Sequence, residues 1–396
     1  MTSSLTRPQP RQRPPTSARG RPANPTEFQR QFRANAEAAL AEAFKGITAS
    51  GTIEPGLFAL QETGVSTRPI QDAAEAFLAS LDVEQQRTAR FSVDDDAWRR
   101  WCNLHTFVMR HGVLLETLSP TQVERAFGLL RASLSERGFE SARNVMKLNE
   151  TIGEITGLPE EFGEWLYWLS IFGTPSPDEP WGWQIDGHHL NVNCLLVKDQ
   201  LVMTPMFMGS EPVYADVGKY AGTRVFEAEE SGGLALMRAL TPQQREQALL
   251  GPTVPREVFT TAFRDNFELR YEGLRFAEFS SAQQGKALAL IETYVGRMRP
   301  GHAAIKMDEV KRHLADTYFA WMGGYDDESV FYYRVHSPVI LIEFDHLPGI
   351  ALDNDYPSRH HIHTVVRTPN GNDYGKDLLR QHRERFDHSH PAVAHS

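Results

Sequence analysis

The chain has 396 residues, of which 41% are hydrophobic and 23% are charged, a mixture typical of a folded globular protein. The formal net charge of −10 disfavours a general nucleic-acid binder, and no apolar run is long enough to cross a bilayer. The two cysteines, Cys102 and Cys194, are too few for a disulfide framework or a thiolate zinc site. The chain also starts without the apolar segment of a secretory signal. We therefore expect a cytoplasmic protein with a small-molecule substrate and neither a nucleic-acid nor a membrane partner.

The two ends of the chain differ from the rest in composition. Residues 1–25 are rich in proline and arginine and contain no acidic residue, which predicts a disordered tail. Residues 386–396 predict a second, flexible tail. Between them, residues 26–385 are expected to form a single large domain.

The first helix is predicted to begin after Thr26, because Thr26 and Gln29 have the spacing of a capping box. A related start then recurs four times: an apolar residue, an Asp, Ser or Thr as N-cap, and Gln three positions later. The N-caps of these four starts are Asp82, Ser119, Thr241 and Ser280.

These four helix starts fall into two similar pairs. The N-caps lie 37 residues apart in the first pair and 39 in the second, and the pairs are offset by about 160 residues. A strand-like segment follows each pair, at residues 181–193 and 330–345. This order predicts an internal duplication of a helix-pair plus strand-pair unit, over about residues 70–215 and 230–385. Chance agreement between common capping sequences is the alternative.

Helical and strand-like patterns occupy separate stretches of the chain. Residues 26–165 and 240–317 predict mainly helices, whereas residues 166–210 and 330–367 predict strands. Such runs are typical of α+β proteins with an antiparallel sheet. We therefore predict an α+β fold in which helical layers cover antiparallel strands.

Histidines are concentrated in two of the strand-like segments. The segment GHHLNVN contains His188 and His189, and the segment RHHIHTVVR contains His361 and His363. Side chains alternate along a strand, so His361 and His363 share one face, an arrangement that suits a metal ion. We predict that these four histidines bind a divalent metal, with Zn, Mn and Fe all compatible with nitrogen ligands.

A third strand-like segment, LIEFD, places Glu343 and Asp345 on one face. We predict that one of these carboxylates is a metal ligand or a general base. Arg367 lies on the same strand face as His361 and His363 and is predicted to orient an anionic group of the substrate. A salt bridge from Arg367 to Asp373 or Asp377 is the alternative.

The face of His189 continues along its strand as Asn191 and Asn193, which we predict to contact the substrate. Trp183 precedes this strand and is predicted to line the substrate pocket, with ordinary core packing as the alternative.

Taken together, the segments PWGWQIDGHHLNVN, YYRVHSPVILIEFD and HIHTVVRTPNGNDYGKDLL resemble the bacterial and fungal family catalogued as domain of unknown function 3500. The resemblance covers most of residues 30–385 and implies no activity by itself. The matching family residues are His188, His189, Asn193, Glu343, Asp345, His361, His363, Arg367, Asp373, Gly375, Asp377 and His382. His360 stands where family members commonly have Asn.

The residues favour a metal-dependent enzyme, and in first place a hydrolase that activates water for attack on a small organic substrate. A non-haem iron oxygenase with the same ligands is the second interpretation. The third is a metal-free binding or structural protein whose histidines are polar core residues.

Overall fold

The structure, a computed structural model, describes residues 7–12, 25–104 and 110–386. These residues form ten α-helices and thirteen β-strands, and the sheet is mostly antiparallel, so the predicted α+β fold is confirmed. No helix in the described ranges combines the length and the apolar composition needed to cross a membrane.

The helices begin where the capping residues predict. Each of the five predicted N-caps accepts a hydrogen bond from the backbone N–H of the glutamine three positions later. The helices are α1 (Glu27–Ala41), α2 (Arg68–Ser80), α3 (Val83–Ala89), α4 (Pro120–Ser133), α5 (Glu136–Thr156), α6 (Glu227–Ala239), α7 (Pro242–Ala248), α8 (Ser281–Val295), α9 (Pro300–Arg312) and α10 (Lys376–Arg385).

The capping glutamines also join the helices of each pair. The side chain of Gln122 donates to Gln85 at 2.7 Å, and that of Gln283 donates to Gln244 at 2.8 Å. The two N-termini of each pair therefore lie side by side. This contact gives the repeated sequence pattern a structural reason beyond capping alone.

The strands are short and are joined in one sheet. They are β1 (Arg90–Phe91), β2 (Val113–Leu114), β3 (Tyr167–Phe172), β4 (Trp181–Gly187), β5 (Leu190–Val197), β6 (Gln200–Val202), β7 (Met206–Ser210), β8 (Leu249–Gly251), β9 (Leu274–Arg275), β10 (Tyr318–Gly323), β11 (Phe331–His336), β12 (Leu341–Leu347) and β13 (Ser358–Arg367).

The main path of the sheet has the order β1-β3-β4-β5-β7-β13-β12-β11-β10-β8. The outer pairs β1–β3 and β8–β10 are parallel, and the neighbours between them are antiparallel. On either side of the central β7–β13 pair, strands follow in the corresponding order. The strand order is therefore compatible with the predicted duplication, which stays a prediction.

Apolar side chains cover both faces of the sheet. On one face, residues such as Val192 and Ile362 pack against α2, α4, α5, α6, α8 and α9. On the opposite face, Leu195 and Val365 pack against α1, α10 and the segment around Trp101. Because neighbours on a strand point to opposite sides, this second face is also the face of His361 and His363.

The structure differs from the predicted N-terminal tail at residues 7–12, which lie against the body of the protein. The Arg7 guanidinium pairs with Asp216 at 3.0 Å, and the backbone N–H of Arg11 donates to Ala351 at 2.8 Å. The other residues of both predicted tails lie largely outside the described ranges.

Candidate metal centre

Three histidines from distant parts of the chain meet on the second face of the sheet. His361 and His363 project from β13, and His189 lies in the turn between β4 and β5. Strand β7 pairs with both β13 and β5, so it brings the turn next to the β13 histidines. Their side chains are almost fully buried, with each residue at most 6% exposed.

Gly209 of β7 makes room for this meeting. It lies opposite His363 in the sheet, and its N–H donates to the carbonyl of His189 at 2.8 Å. A Cβ atom at position 209 would lie 2.7 Å from Cδ2 of His363 and 3.0 Å from Cδ2 of His189. Only glycine leaves space for both rings, so Gly209 belongs to the site although the sequence analysis missed it.

The backbone of His189 adopts a left-handed conformation, with a φ of 62°. For a residue with a side chain this conformation costs about 1–2 kcal/mol. It is held by the hydrogen bond from the His189 N–H to Asn103 at 3.1 Å and by the bond from Gly209. Strained residues of this kind cluster at functional sites.

The three rings approach one another through their Nε2 atoms. The Nε2 atom of His361 is 3.3 Å from that of His189 and 3.1 Å from that of His363. One ligand nitrogen of each ring lies within 4.8 Å of the other two. The rings therefore converge on a single small, buried space.

The far nitrogen, Nδ1, of two of the rings already has a hydrogen-bond partner. Nδ1 of His361 lies 2.8 Å from the carbonyl of Pro348, which can only accept, so Nδ1 holds the proton. Nδ1 of His363 lies 2.7 Å from the Glu257 carboxylate, which accepts when it is ionised. The Nε2 atoms of both rings then present lone pairs to each other, a contact that a cation between them would stabilise.

The spacing of the nitrogens fits one metal ion. Nitrogens bound to zinc at about 2.0–2.1 Å lie about 3.3–3.4 Å apart at a tetrahedral angle and about 2.9 Å apart at a right angle. The observed separations of 3.1 and 3.3 Å fall between these values. Burial lowers the pKa of His363 well below its usual range, and the nearby His361 adds to this shift, so the ring stays neutral as a ligand must be.

Two carboxylates support the histidines from behind. Both oxygens of Glu211 accept backbone N–H groups of residues 350–352 at 3.0–3.2 Å. This loop also contains Pro348, so Glu211 fixes the carbonyl that orients His361. Burial raises the pKa of Glu257 to about 7. Such partners commonly set the orientation of metal-binding rings.

A cavity of about 360 Å³ opens beside Glu257 and reaches the surface. This volume is in the range of sites for small organic molecules. Its walls are formed by α1 and by residues around Asn103 and 261–264, and the Glu257 side chain is 29% exposed. Glu257 therefore touches both the cavity and the histidine cluster. It lies in an irregular segment without strand alternation, so no sequence pattern singled it out.

The structure places His188 outside the three converging rings and bonds the Asn191 side chain within its own hairpin. The ring of His188 turns away from the cluster, with Nδ1 2.7 Å from the side-chain oxygen of Asn149, and it stacks on His189 at 3.9 Å. It supports the His189 ring and is not among the converging nitrogens. The amide of Asn191 donates to the carbonyl of Gly187 at 3.3 Å within its own hairpin.

Trp183 and Asn193 are also placed away from the predicted pocket. The Trp183 indole lies in the helix-covered core and donates to Ser133 at 3.1 Å, which agrees with the packing alternative. The amide of Asn193 accepts from Gln184 at 2.5 Å and donates to Pro205 at 2.8 Å. Trp183 therefore contacts helix α4, and Asn193 contacts β4 and the residue before β7, so both side chains have structural partners.

Glu343 holds a neighbouring segment and contacts none of the three histidine rings. Its carboxylate accepts from the backbone N–H groups of Phe259 and Thr260, at 2.8 and 2.9 Å, and from the hydroxyls of Thr260 and Tyr332. These contacts fix the chain directly after Glu257. The predicted role as a ligand or base therefore does not fit Glu343, which positions Glu257 instead.

Arg367 is fully buried in a structural ion-pair cluster. Its guanidinium lies 2.8 Å from Asp265 and 2.9 Å from Asp373. Both partners are buried, so the arginine is unavailable to a substrate. The structure thus agrees with the alternative of a salt bridge to Asp373.

Asp345 forms a second group of potential ligands beside the first. One carboxylate oxygen of Asp345, one of Glu257 and one nitrogen of His363 lie within 4.8 Å of one another. Burial raises the pKa of Asp345 well above its usual range, and the charges of Glu257 and Glu343 reinforce the shift. Asp345 is close to His363 but is not grouped with the three converging nitrogens.

Comparison with known proteins gives one match. The model of a family described as a protein of unknown function (DUF3500) matches residues 63–376, a range that contains His189, Glu257, His361 and His363. No curated protein and no solved structure matches the chain. Because the match extends over more than half of its length, the chain belongs to the DUF3500 family.

Proposed function

We propose that the protein is a metal-dependent hydrolase of a small organic substrate, in which His189, His361 and His363 bind one divalent ion. The observation that carries this proposal is the convergence of three buried Nε2 atoms, two of them 3.1 Å apart. Nδ1 of His361 is committed as a donor to the Pro348 carbonyl, and Nδ1 of His363 contacts the Glu257 carboxylate. In a purely structural buried histidine, each ring nitrogen has a hydrogen-bond partner. Two Nε2 atoms that face each other as acceptors would not satisfy each other.

A divalent ion at this position supplies Lewis acidity, which can bring the pKa of water to about 7. The residues of the chain orient the ligands and shield the site from bulk water. Pro348 and Glu257 keep the rings in the binding tautomer, and the buried surroundings exclude bulk water. In this proposal a substrate enters the cavity that Glu257 lines, next to the contact between Glu257 and His363.

A hydrolase is preferred to an oxygenase because of the ligand set. Non-haem iron oxygenases typically use two histidines and one carboxylate. Among the described residues, no carboxylate oxygen belongs to the group formed by the three nitrogens. An all-imidazole set with room for water is typical of catalytic zinc.

We also propose that the protein acts in the cytoplasm. The support is chemical: Cys102 and Cys194 are buried free thiols, and neither is paired in a disulfide.

The metal content of the purified protein tests the proposal. Elemental analysis should find zinc bound stoichiometrically, and His361→Ala and His363→Ala should each remove it while the circular dichroism spectrum stays unchanged. His360→Ala is the matched control, because His360 is on the same strand but outside the cluster. The zinc-loaded protein should hydrolyse simple activated esters, and the stripped protein should not.

Unchanged metal content in His363→Ala would contradict the ligand assignment. Stoichiometric iron with substrate-dependent oxygen consumption would replace the hydrolase by the oxygenase. A wild-type protein that binds no metal and shows no thermal shift with any divalent ion would leave only the metal-free interpretation.

A further inference from the structure

Asp345 is an unusual buried carboxylate. It lies on β12 directly opposite His363 and is 0% exposed. Neither of its oxygens accepts a hydrogen bond of normal distance and angle from the described residues, and the backbone N–H of His363 gives it only a weaker polar contact. A buried carboxylate in this condition needs a compensating charge or proton, because burying an unpaired charge costs several kcal/mol or more.

The surroundings of Asp345 add negative charge. Glu257 and Glu343 both lie close enough to act on it electrostatically. No lysine or arginine in the described ranges forms a salt bridge with Asp345 or Glu257. Arg264 acts on Glu257 only from the surface, where its guanidinium donates to the carbonyl of Phe259.

Glu343 is not available to bind a compensating cation, because both of its oxygens already accept hydrogen bonds from Phe259, Thr260 and Tyr332. Glu257 differs from it, because His363 and the Val258 N–H are bonded to one of its oxygens, Oε1. One oxygen of Asp345 and one of Glu257 therefore lie within 4.8 Å of each other and of a His363 nitrogen, and no lysine or arginine in the described ranges is paired with either carboxylate.

We propose that Asp345 and Glu257 bind a second divalent cation, separate from the ion of the three histidines. Carboxylate oxygens with open positions for water favour a hard ion such as Mn²⁺ or Mg²⁺. The inference deepens the proposed function and rests on it for the first ion, because His363 lies between the two sites. Nε2 of His363 points to the histidine cluster, and Nδ1 contacts Glu257 at 2.7 Å.

This position gives the second cation a defined effect. It compensates the two carboxylates and holds the Glu257 side chain in place, so that Glu257 keeps its contact with Nδ1 of His363. That hydrogen bond holds the Nε2 lone pair toward the first ion. Occupation of the carboxylate site should therefore raise the affinity of the histidines for the first ion. The expected increase is roughly 10- to 100-fold, the effect that residues supporting a metal ligand typically have on metal affinity.

The test is a two-metal titration of the full chain. Metal-free protein is loaded with one equivalent of Zn²⁺ and then titrated with Mn²⁺, with free Mn²⁺ followed by electron paramagnetic resonance. The wild type should bind one Zn²⁺ and one Mn²⁺. Asp345→Asn should keep Zn²⁺ and bind Mn²⁺ at least tenfold more weakly, whereas His361→Ala should lose Zn²⁺ and keep Mn²⁺.

Glu229→Gln is the matched control, since Glu229 is a buried carboxylate paired with Arg297 on the other face of the sheet. It should leave both ions bound. Should Asp345→Asn fail to fold, Glu257→Gln removes the second carboxylate at a partly exposed position and should show the same loss of Mn²⁺.

The inference is overturned if the zinc-loaded wild type binds no Mn²⁺ or Mg²⁺, or if Asp345→Asn binds Mn²⁺ as tightly as the wild type does. In either case a proton compensates Asp345. Failure of the proposed function looks different, because the protein would then take up Mn²⁺ but no Zn²⁺ at the histidines.

Discussion

The substitution Glu343→Gln tests whether Glu343 positions the segment after Glu257 or binds the metal itself. The Glu343 carboxylate is fully buried and accepts four hydrogen bonds, from the backbones of Phe259 and Thr260 and from the hydroxyls of Thr260 and Tyr332. Glutamine replaces one oxygen with a donor, so about two of these bonds are lost and a buried N–H is left unpaired. At roughly 1–2 kcal/mol for each, Glu343→Gln should cost about 2–4 kcal/mol of unfolding free energy.

Metal binding should respond less directly. Loss of the anchor lets the segment after Glu257 move, and Glu257 orients His363. We therefore expect zinc to bind about 10- to 100-fold more weakly but still at one equivalent.

Urea unfolding of the metal-free protein, followed by tryptophan fluorescence, measures the first effect, and a competitive chelator titration measures the second. Glu62→Gln is the control, because Glu62 is an exposed carboxylate. The reasoning is refuted if Glu343→Gln unfolds at the same urea concentration as this control. It is equally refuted if zinc binding disappears with no loss of stability, since Glu343 would then be a ligand.

Three further outcomes are expected. Gly209→Ala should weaken zinc binding at least tenfold in the chelator titration, because the added Cβ would push the His189 and His363 rings apart. Unchanged zinc affinity would show that zinc binding does not depend on the close packing of these rings against residue 209. Arg367→Met should lower the unfolding free energy by about 3–5 kcal/mol and leave the metal content unchanged, because the buried Asp373 loses its arginine partner while Asp265 keeps Arg99. A loss of metal at full stability would argue for a role at the site. Burial lowers the pKa of His336 to about 3, and the charge of Arg334 adds to the shift, so the unfolded chain binds a proton below about pH 6.5 that the folded protein rejects. Because of this group, the unfolding free energy should fall by about 1.4 kcal/mol for each pH unit as the pH is lowered from about 6 to 4. In His336→Phe, the dependence of the unfolding free energy on pH should be weaker by that amount, as measured by unfolding curves at each pH.

The sequence predicted the regular elements well because their signals are local. The capping glutamines identify helix starts, and the structure adds that they also bond to one another, as Gln85 and Gln122 do. Strand alternation likewise placed His361 and His363 on one face, since side-chain direction in a strand depends only on position.

The supporting residues could not be predicted in the same way. Glu257 and Glu211 reach the site through loop conformations that no periodicity describes, and Gly209 matters through a contact across strands. The error at His188 has a related cause: adjacent residues in a tight turn point in different directions, and a sequence pair does not reveal which one faces the centre. Alternation correctly gave Glu343 and Arg367 their sheet face but could not indicate that other donors and acceptors already occupy them.

The position of β13 has a consequence for biosynthesis. His189 and His361 are 172 residues apart, and β13 inserts between β7 and β12 in the middle of the sheet. A ribosome-bound chain that ends before residue 358 has neither histidine of this strand and no central strand to join its two groups of strands. The proposed metal binding by the three histidines would therefore follow translation of the last strand, so tight zinc uptake should mark only polypeptides that have been completed through β13.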